Sequence, residues 1–109
     1  MKYSVIVSEN FKSEFKRLQR KYPSLKNDVD DLISVLEINP FEGSALGKDC
    51  YKIRLAIKSK GVGKSGGGRV ISLVRVMREE VTLLSIYDKS EKETITGKEL
   101  SKLISLVKG

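Results

Sequence analysis

The feature that most limits the fold is a change of hydrophobic period at Asn39-Pro40. Before it, from Phe11 to Leu36, apolar residues recur every three or four positions; beyond it, from Tyr51 to Ile57, they recur every two. Proline cannot continue a helix and pushes the residue before it out of helical space, so helical sequence has to end there. Helices and strands therefore come in separate runs, the mark of an α+β domain rather than of strictly alternating α/β.

Each run can be placed. Lys2 to Val7 alternates, with Tyr3, Val5 and Val7 on one side, and predicts a short strand. Ser8 is suited to cap a helix striped by Phe11, Phe15 and Leu18, which Tyr22-Pro23-Ser24 interrupts. Ser24 is suited to cap a second, with Leu25, Val29, Leu32, Ile33 and Leu36 along one face, so the pair forms a helical hairpin. Residues 41–49 predict a loop; Tyr51, Ile53, Leu55 and Ile57 then alternate with Lys52, Arg54, Ala56 and Lys58 as a strand. Arg69 to Met77 predicts a central strand, Arg78-Glu79-Glu80 a tight turn, and Val81 to Tyr87 the returning strand. Between the first two of these three strands, SKGVGKSGGG puts five glycines between 61 and 68 and predicts a mobile loop without regular structure. Thr96 with Glu99 is a capping box, and Leu100, Leu103, Ile104 and Val107 stripe a short last helix. The expectation is one domain over residues 1–109: an antiparallel sheet of about four strands, the helical hairpin on one face, the other face left for a ligand or the last helix. A chain of this length buries about two-thirds of its unfolded surface, enough for one core without staples.

Charge narrows the function. The net charge is +7, yet residues 50–78 alone hold eight basic side chains and no acidic one. A field so concentrated favours a polyanion as partner. With no His and a single Cys50, neither His/Cys zinc sites nor Ser/His or Cys/His nucleophilic pairs are available, and no metal or cofactor is expected. The start carries no apolar signal core, and no apolar run approaches the roughly 18 residues of a membrane span, so a reducing, cytoplasmic setting away from membranes is expected.

Gly63-Lys64-Ser65 is not a nucleotide-phosphate loop, because Lys58 stands where the leading glycine belongs and a strand, not a helix, follows. Two readings of the glycine segment stay open: Lys58, Lys60 and Lys64 either clamp a sugar-phosphate backbone or decorate a solvated hairpin loop. Lys52, Arg54 and Arg69 flank its two ends, where strands can aim them at one point. Such a cluster suits RNA cleavage by 2′-hydroxyl attack, which needs proton transfer at two oxygens and cations on a phosphorane-like transition state. Tyr51 shares the apolar parity of its strand and predicts core packing, whereas Tyr87 reads as more open and able to meet a base. Asp88, Glu91 and Glu93 beyond the last strand are acidic candidates for general-base work, but charge at a strand end is usually only solvated surface.

The run Cys50-Tyr51-Lys52-Ile53-Arg54-Leu55, the glycine-ended loop into Arg69-Val70-Ile71, and LLSIYDKSEKE before the last helix together resemble the RelE/ParE toxin superfamily. The longer KIRLAIKSKGVGKSGGGRVI is most similar to its HigB-type branch. The resemblance implies a RelE-like fold and a ribosome-dependent mRNA endoribonuclease, the toxin of a type II toxin-antitoxin pair. Its implied partners are a cognate antitoxin, the ribosome and mRNA. It assigns Lys52 to proton transfer, Arg54 to phosphate binding and Arg69 to the transition state. Ser90 and Thr96 stand where the RelE pattern has a further arginine and a tyrosine, so Lys89 or Lys92 and Tyr87 become the candidates for those roles. Lys58, Lys60, Lys64, Arg75 and Lys92 are then candidate contacts to RNA or ribosome. Two rivals are a ParE-like DNA gyrase inhibitor on the same fold and an RNA-binding module without catalysis.

Overall fold

The computed structural model describes residues 2–61, 63–92 and 94–107, with positions 64 and 65 followed in their backbone alone. In chain order come β1 (Ser4–Val7), α1 (Glu9–Gln19), α2 (Leu25–Ile38), β2 (Ser44–Gly47), β3 (Cys50–Leu55), a helical turn α3 (Gly63–Gly66), β4 (Gly68–Arg75), β5 (Glu80–Asp88) and α4 (Gly97–Leu106). The expected α+β architecture is present.

The sheet has five strands, not four, in the order β1-β5-β4-β3-β2. The added strand is β2, whose Ser-Ala-Leu-Gly lacks alternation and is mostly exposed; its partner β3 imposes the extended form. The four strands β2 to β5 are antiparallel as expected, but β1 joins β5 in parallel. The glycine segment also departs from expectation: a 3-10 turn spans Lys58–Lys60 and α3 follows, with Gly61 and Gly63 supplying positive φ of 75° and 67°. At the β4–β5 connection a second 3-10 turn, Val76–Arg78, ends on Glu79 at φ 51°.

Two cores sandwich the sheet. Leu18, Leu25, Val29 and Leu36 of the hairpin pack on Ile53, Val70, Val81, Leu83 and Ile86. On the far face Ile71, Leu73, Leu84 and Tyr87 meet Ile95 and Leu100, so α4 takes the face that the sequence left open. Caps fix the helix ends. Ser8 accepts from the Phe11 N–H, and Thr96 and Glu99 form the expected capping box. Ser24 does not cap α2; its own backbone is helical and its hydroxyl turns to Asp28 and Ser59 instead.

One irregularity positions everything that follows. Ile71 lies opposite Ser85 but Ser72 opposite Leu83, so β5 carries one extra residue, Leu84. Such a bulge flips the facing of all residues beyond it. Without it Arg69 would oppose Ile86; with it, Arg69 opposes Tyr87.

Candidate functional site

Arg54 lies opposite Arg69, and Arg69 opposite Tyr87, so the three form one row across β3, β4 and β5. Opposed residues share a face and hold their Cβ atoms about 5 Å apart. The next row on that face is Lys52, Ile71 and Ser85, which sets Lys52 two residues, roughly 7 Å, along β3 from Arg54. Lys89 follows Tyr87 with the same parity, and its N–H donates to the Gly67 carbonyl at 3.1 Å, extending the ladder one step past the strand. The fold thus brings Lys52, Arg54, Arg69, Tyr87 and Lys89 to one end of the far face.

Exposure divides them. Arg54 is exposed, and Lys52 and Lys89 are half-buried. Arg69 is 6% exposed, its Nη1 donating to the Gly68 carbonyl at 3.0 Å, and Tyr87 is 3% exposed. Tyr87 therefore does not stand open as its place before Asp88 and Lys89 suggested: Ile95 and Leu100 pack on it, and the Lys92 ammonium sits 5.1 Å from its ring centroid. Its buried hydroxyl has no hydrogen-bond partner among the described residues. Burial pushes its pKa up, against the pull of the Arg69 guanidinium, so the phenol stays protonated at neutral pH.

The remaining basic candidates disperse. Lys92 pairs with Glu99 of α4, and hydrogen bonds from Lys92 and the Thr96 backbone hold the Glu99 carboxyl down to about 2. Lys58 is exposed and 3.8 Å from Asp31. Lys60 is drawn inward, 2.6 Å from Asp88. Arg75 sits at the opposite end of β4, where it donates to the Val107 carbonyl at 2.8 Å and so satisfies the C-terminal end of α4. The Lys64 side chain and Glu93 lie outside the described residues. Tyr51 packs against the hairpin core as expected, edge-on to Phe41.

Asp88 is the largest departure, for it is fully buried rather than solvated. It accepts from the Tyr22 hydroxyl at 2.5 Å, from Lys60 at 2.6 Å and from the Ser90 N–H at 3.0 Å. Burial pushes its pKa up, but these hydrogen bonds outweigh that and hold it well below the ordinary carboxylate range. The same bond pushes Tyr22 up to about 12. The overlooked signal was parity: beyond the bulge Asp88 follows core-facing Ile86 by two residues. Glu14 was also missed. It accepts from Ser85 Oγ at 2.7 Å and the Ile86 N–H at 3.2 Å, completing the edge of β5 where four-residue β1 stops short. Cys50 is inert by comparison, its thiol pushed up to about 11 by burial.

No protein-family model and no curated protein sequence matches this chain. Solved structures do. A double-mutant form of the E. coli toxin RelE in the free state aligns over 98% of this chain and 99% of its own, at 17% identity and a TM-score of 0.65. The isolated E. coli RelE toxin aligns over 94% and 96%, at 19% identity and a TM-score of 0.50. A chain of the intact E. coli RelBE toxin-antitoxin complex aligns over 79% of this chain and 95% of its own, at 22% identity and a TM-score of 0.50. At such identities the shared property is the fold. Among the described residues no helix is long and apolar enough to cross a membrane.

Proposed function

We propose that this chain is a ribosome-dependent mRNA endoribonuclease, the toxin of a type II toxin-antitoxin pair. The observation that carries the reading is the cross-strand juxtaposition of Arg54 and Arg69. Like charges directly opposed on a sheet are destabilising, and a phosphate between two guanidiniums turns that repulsion into a bidentate anion site. Lys52, one step along β3, is the candidate to take or return the proton of the ribose 2′-hydroxyl. Arg54 and Arg69 hold the scissile phosphate and its developing charge. Tyr87, protonated and without a hydrogen-bond partner among the described residues, donates toward the leaving 5′-oxygen or stacks on the neighbouring base, with Lys89 beside it.

RNA meets Arg54 and Lys52 directly from solvent. It reaches Tyr87 once Lys92 and α4 give way, because the ring packs beneath them; Arg69 beside it is likewise buried. A neighbouring antitoxin of acidic or amphipathic character fits the basic face, and a cytoplasmic location follows from the substrate.

The burial of Arg69 and Tyr87 favours one second reading, a binder that uses the same fold without cleaving, whether on RNA or on DNA gyrase. Primer-extension mapping of transcripts after brief induction, with and without translation blocked, separates the readings. Translation-dependent cuts that vanish in Arg69→Ala support the nuclease. Growth arrest with intact transcripts, or cuts that persist in Arg69→Ala, overturns it.

A further inference from the structure

Lys60 belongs by composition to the basic surface, yet its side chain is only 18% exposed and its ammonium is held on two sides. It donates to Asp88 Oδ1 at 2.6 Å and to the Gly66 carbonyl at 2.8 Å, and lies 5.9 Å from the Tyr22 ring centroid. Tyr22 in turn gives its hydroxyl proton to Asp88 Oδ2. The network ties together the turn after α1, the 3-10 turn, the glycine segment and the end of β5. A cation so engaged is poorly placed to meet RNA.

Its location suggests another task. Asp88 lies opposite Gly68, and Gly68 opposite Leu55; the adjoining row is Tyr87, Arg69 and Arg54. At this re-entry point the chain has no side chain to anchor it, since positions 66, 67 and 68 are all glycine. A Cβ on Gly67 would lie 2.2 Å from the Leu55 carbonyl oxygen, so main chain presses on main chain there. What fixes the segment is the Lys60 bond to Gly66, the Lys89 bond to Gly67, and the carboxylate that joins them.

We infer that Lys60, Asp88 and Tyr22 form a positioning clamp that sets the distance between Arg69 and its neighbours Arg54 and Tyr87 for RNA cleavage. The inference rests on the nuclease reading and adds to it: none of the three touches the substrate, and their effect passes through the backbone at 66–69. Displacing Arg69 by an ångström weakens transition-state contacts far more than substrate binding, most of which comes from other phosphates.

The test is cleavage of a defined message on programmed ribosomes by wild type, Lys60→Met, Lys60→Arg and Tyr22→Phe, with amide hydrogen exchange on each protein. Lys60→Met is expected to cut about 10- to 100-fold more slowly at saturation, with KM and the salt slope of RNA binding changed less than about twofold. Lys60→Arg should restore most of the rate, and exchange should quicken at Arg69 and Lys89 while Val70 to Val74 stay protected. Tyr22→Phe, which removes a single hydrogen bond, should lose rate in the same pattern and carries the test if Lys60→Met fails to fold. A saturated rate unchanged in Lys60→Met overturns the clamp, as does a raised KM with a shallower salt slope. If wild type itself cuts no message, the nuclease reading has failed, an outcome told apart from loss of the clamp because exchange still reports whether residues 66–69 are held.

Discussion

Tyr87 faces Arg69 across the β4–β5 ladder only because β5 holds one residue more than its partner at Leu84. The bulge turns the phenol into the far core, where its ring is packed and its hydroxyl is left without a partner among the described residues. A buried polar atom with no partner is a cost to the fold, and a group kept at such cost is a candidate for work on a substrate.

Tyr87→Phe is therefore expected to separate stability from activity. Removing an unsatisfied buried hydroxyl should leave stability unchanged or raise it by about 1 kcal/mol. Cleavage should fall by about 10-fold or more if the phenol donates a proton in the transition state. Urea unfolding and a cleavage assay on the same preparation check both halves; a variant that is stabilised and fully active removes Tyr87 from the site.

Acid stability should report Asp88. An unfolded aspartate titrates near pH ~4, and in the folded chain this carboxyl is held lower. Its contribution is thus complete above pH ~4 and is lost as pH falls from there toward the folded value. Asp88→Asn should cost about 3 kcal/mol at neutral pH, by leaving the Lys60 ammonium inside without its counter-charge, and should flatten the stability curve in that acid window. Glu99 is also depressed and titrates over the same range in both proteins, so the difference between their pH-dependent urea midpoints isolates Asp88.

Elements were legible in the sequence wherever one periodicity dominated. Phe11, Phe15 and Leu18 marked α1, and Thr96 with Glu99 marked the start of α4, because local chemistry decides such features. What escaped was decided by partners far along the chain. β2 is a strand only because β3 lies beside it, and the parallel seat of β1 depends on β5, some 76 residues away, where the Ser8 hydroxyl also reaches. Lys52, Arg54 and Arg69 could be grouped because they flank one loop. Tyr87 and Asp88 could be named but not oriented, since a single bulge at Leu84 decides which faces the site and which the core.

Two glycines should respond to alanine for different reasons. Gly67 has no positive φ, but its Cβ would collide with the Leu55 carbonyl oxygen at 2.2 Å, so Gly67→Ala has to push β3 and the re-entering chain apart. The expected cost is about 2–4 kcal/mol. Gly61 opens to empty space but holds φ 75°, so Gly61→Ala should cost only about 1 kcal/mol, from backbone strain. Chemical denaturation of the two variants checks the order, and equal losses would mean that the contact between Gly67 and Leu55 is not tight.

The cover over Tyr87 makes a last prediction about salt. Lys92 and Glu99 are each partly exposed, with side-chain accessibilities of 33% and 44%, and solvent screening leaves such a pair little weight in stability. Glu99 has a second task, since its Oε1 accepts from the Thr96 N–H in the capping box. Glutamine performs that task equally well. Glu99→Gln should therefore keep α4 capped while removing the charge that holds Lys92 away from a phosphate. RNA should bind more tightly at low salt, with a log-log salt slope steeper by roughly 0.7–0.9, the share of one additional phosphate contact. Thermal stability should change little. Titrations at several salt concentrations measure the slope; a slope identical to wild type would place Lys92 outside the RNA path.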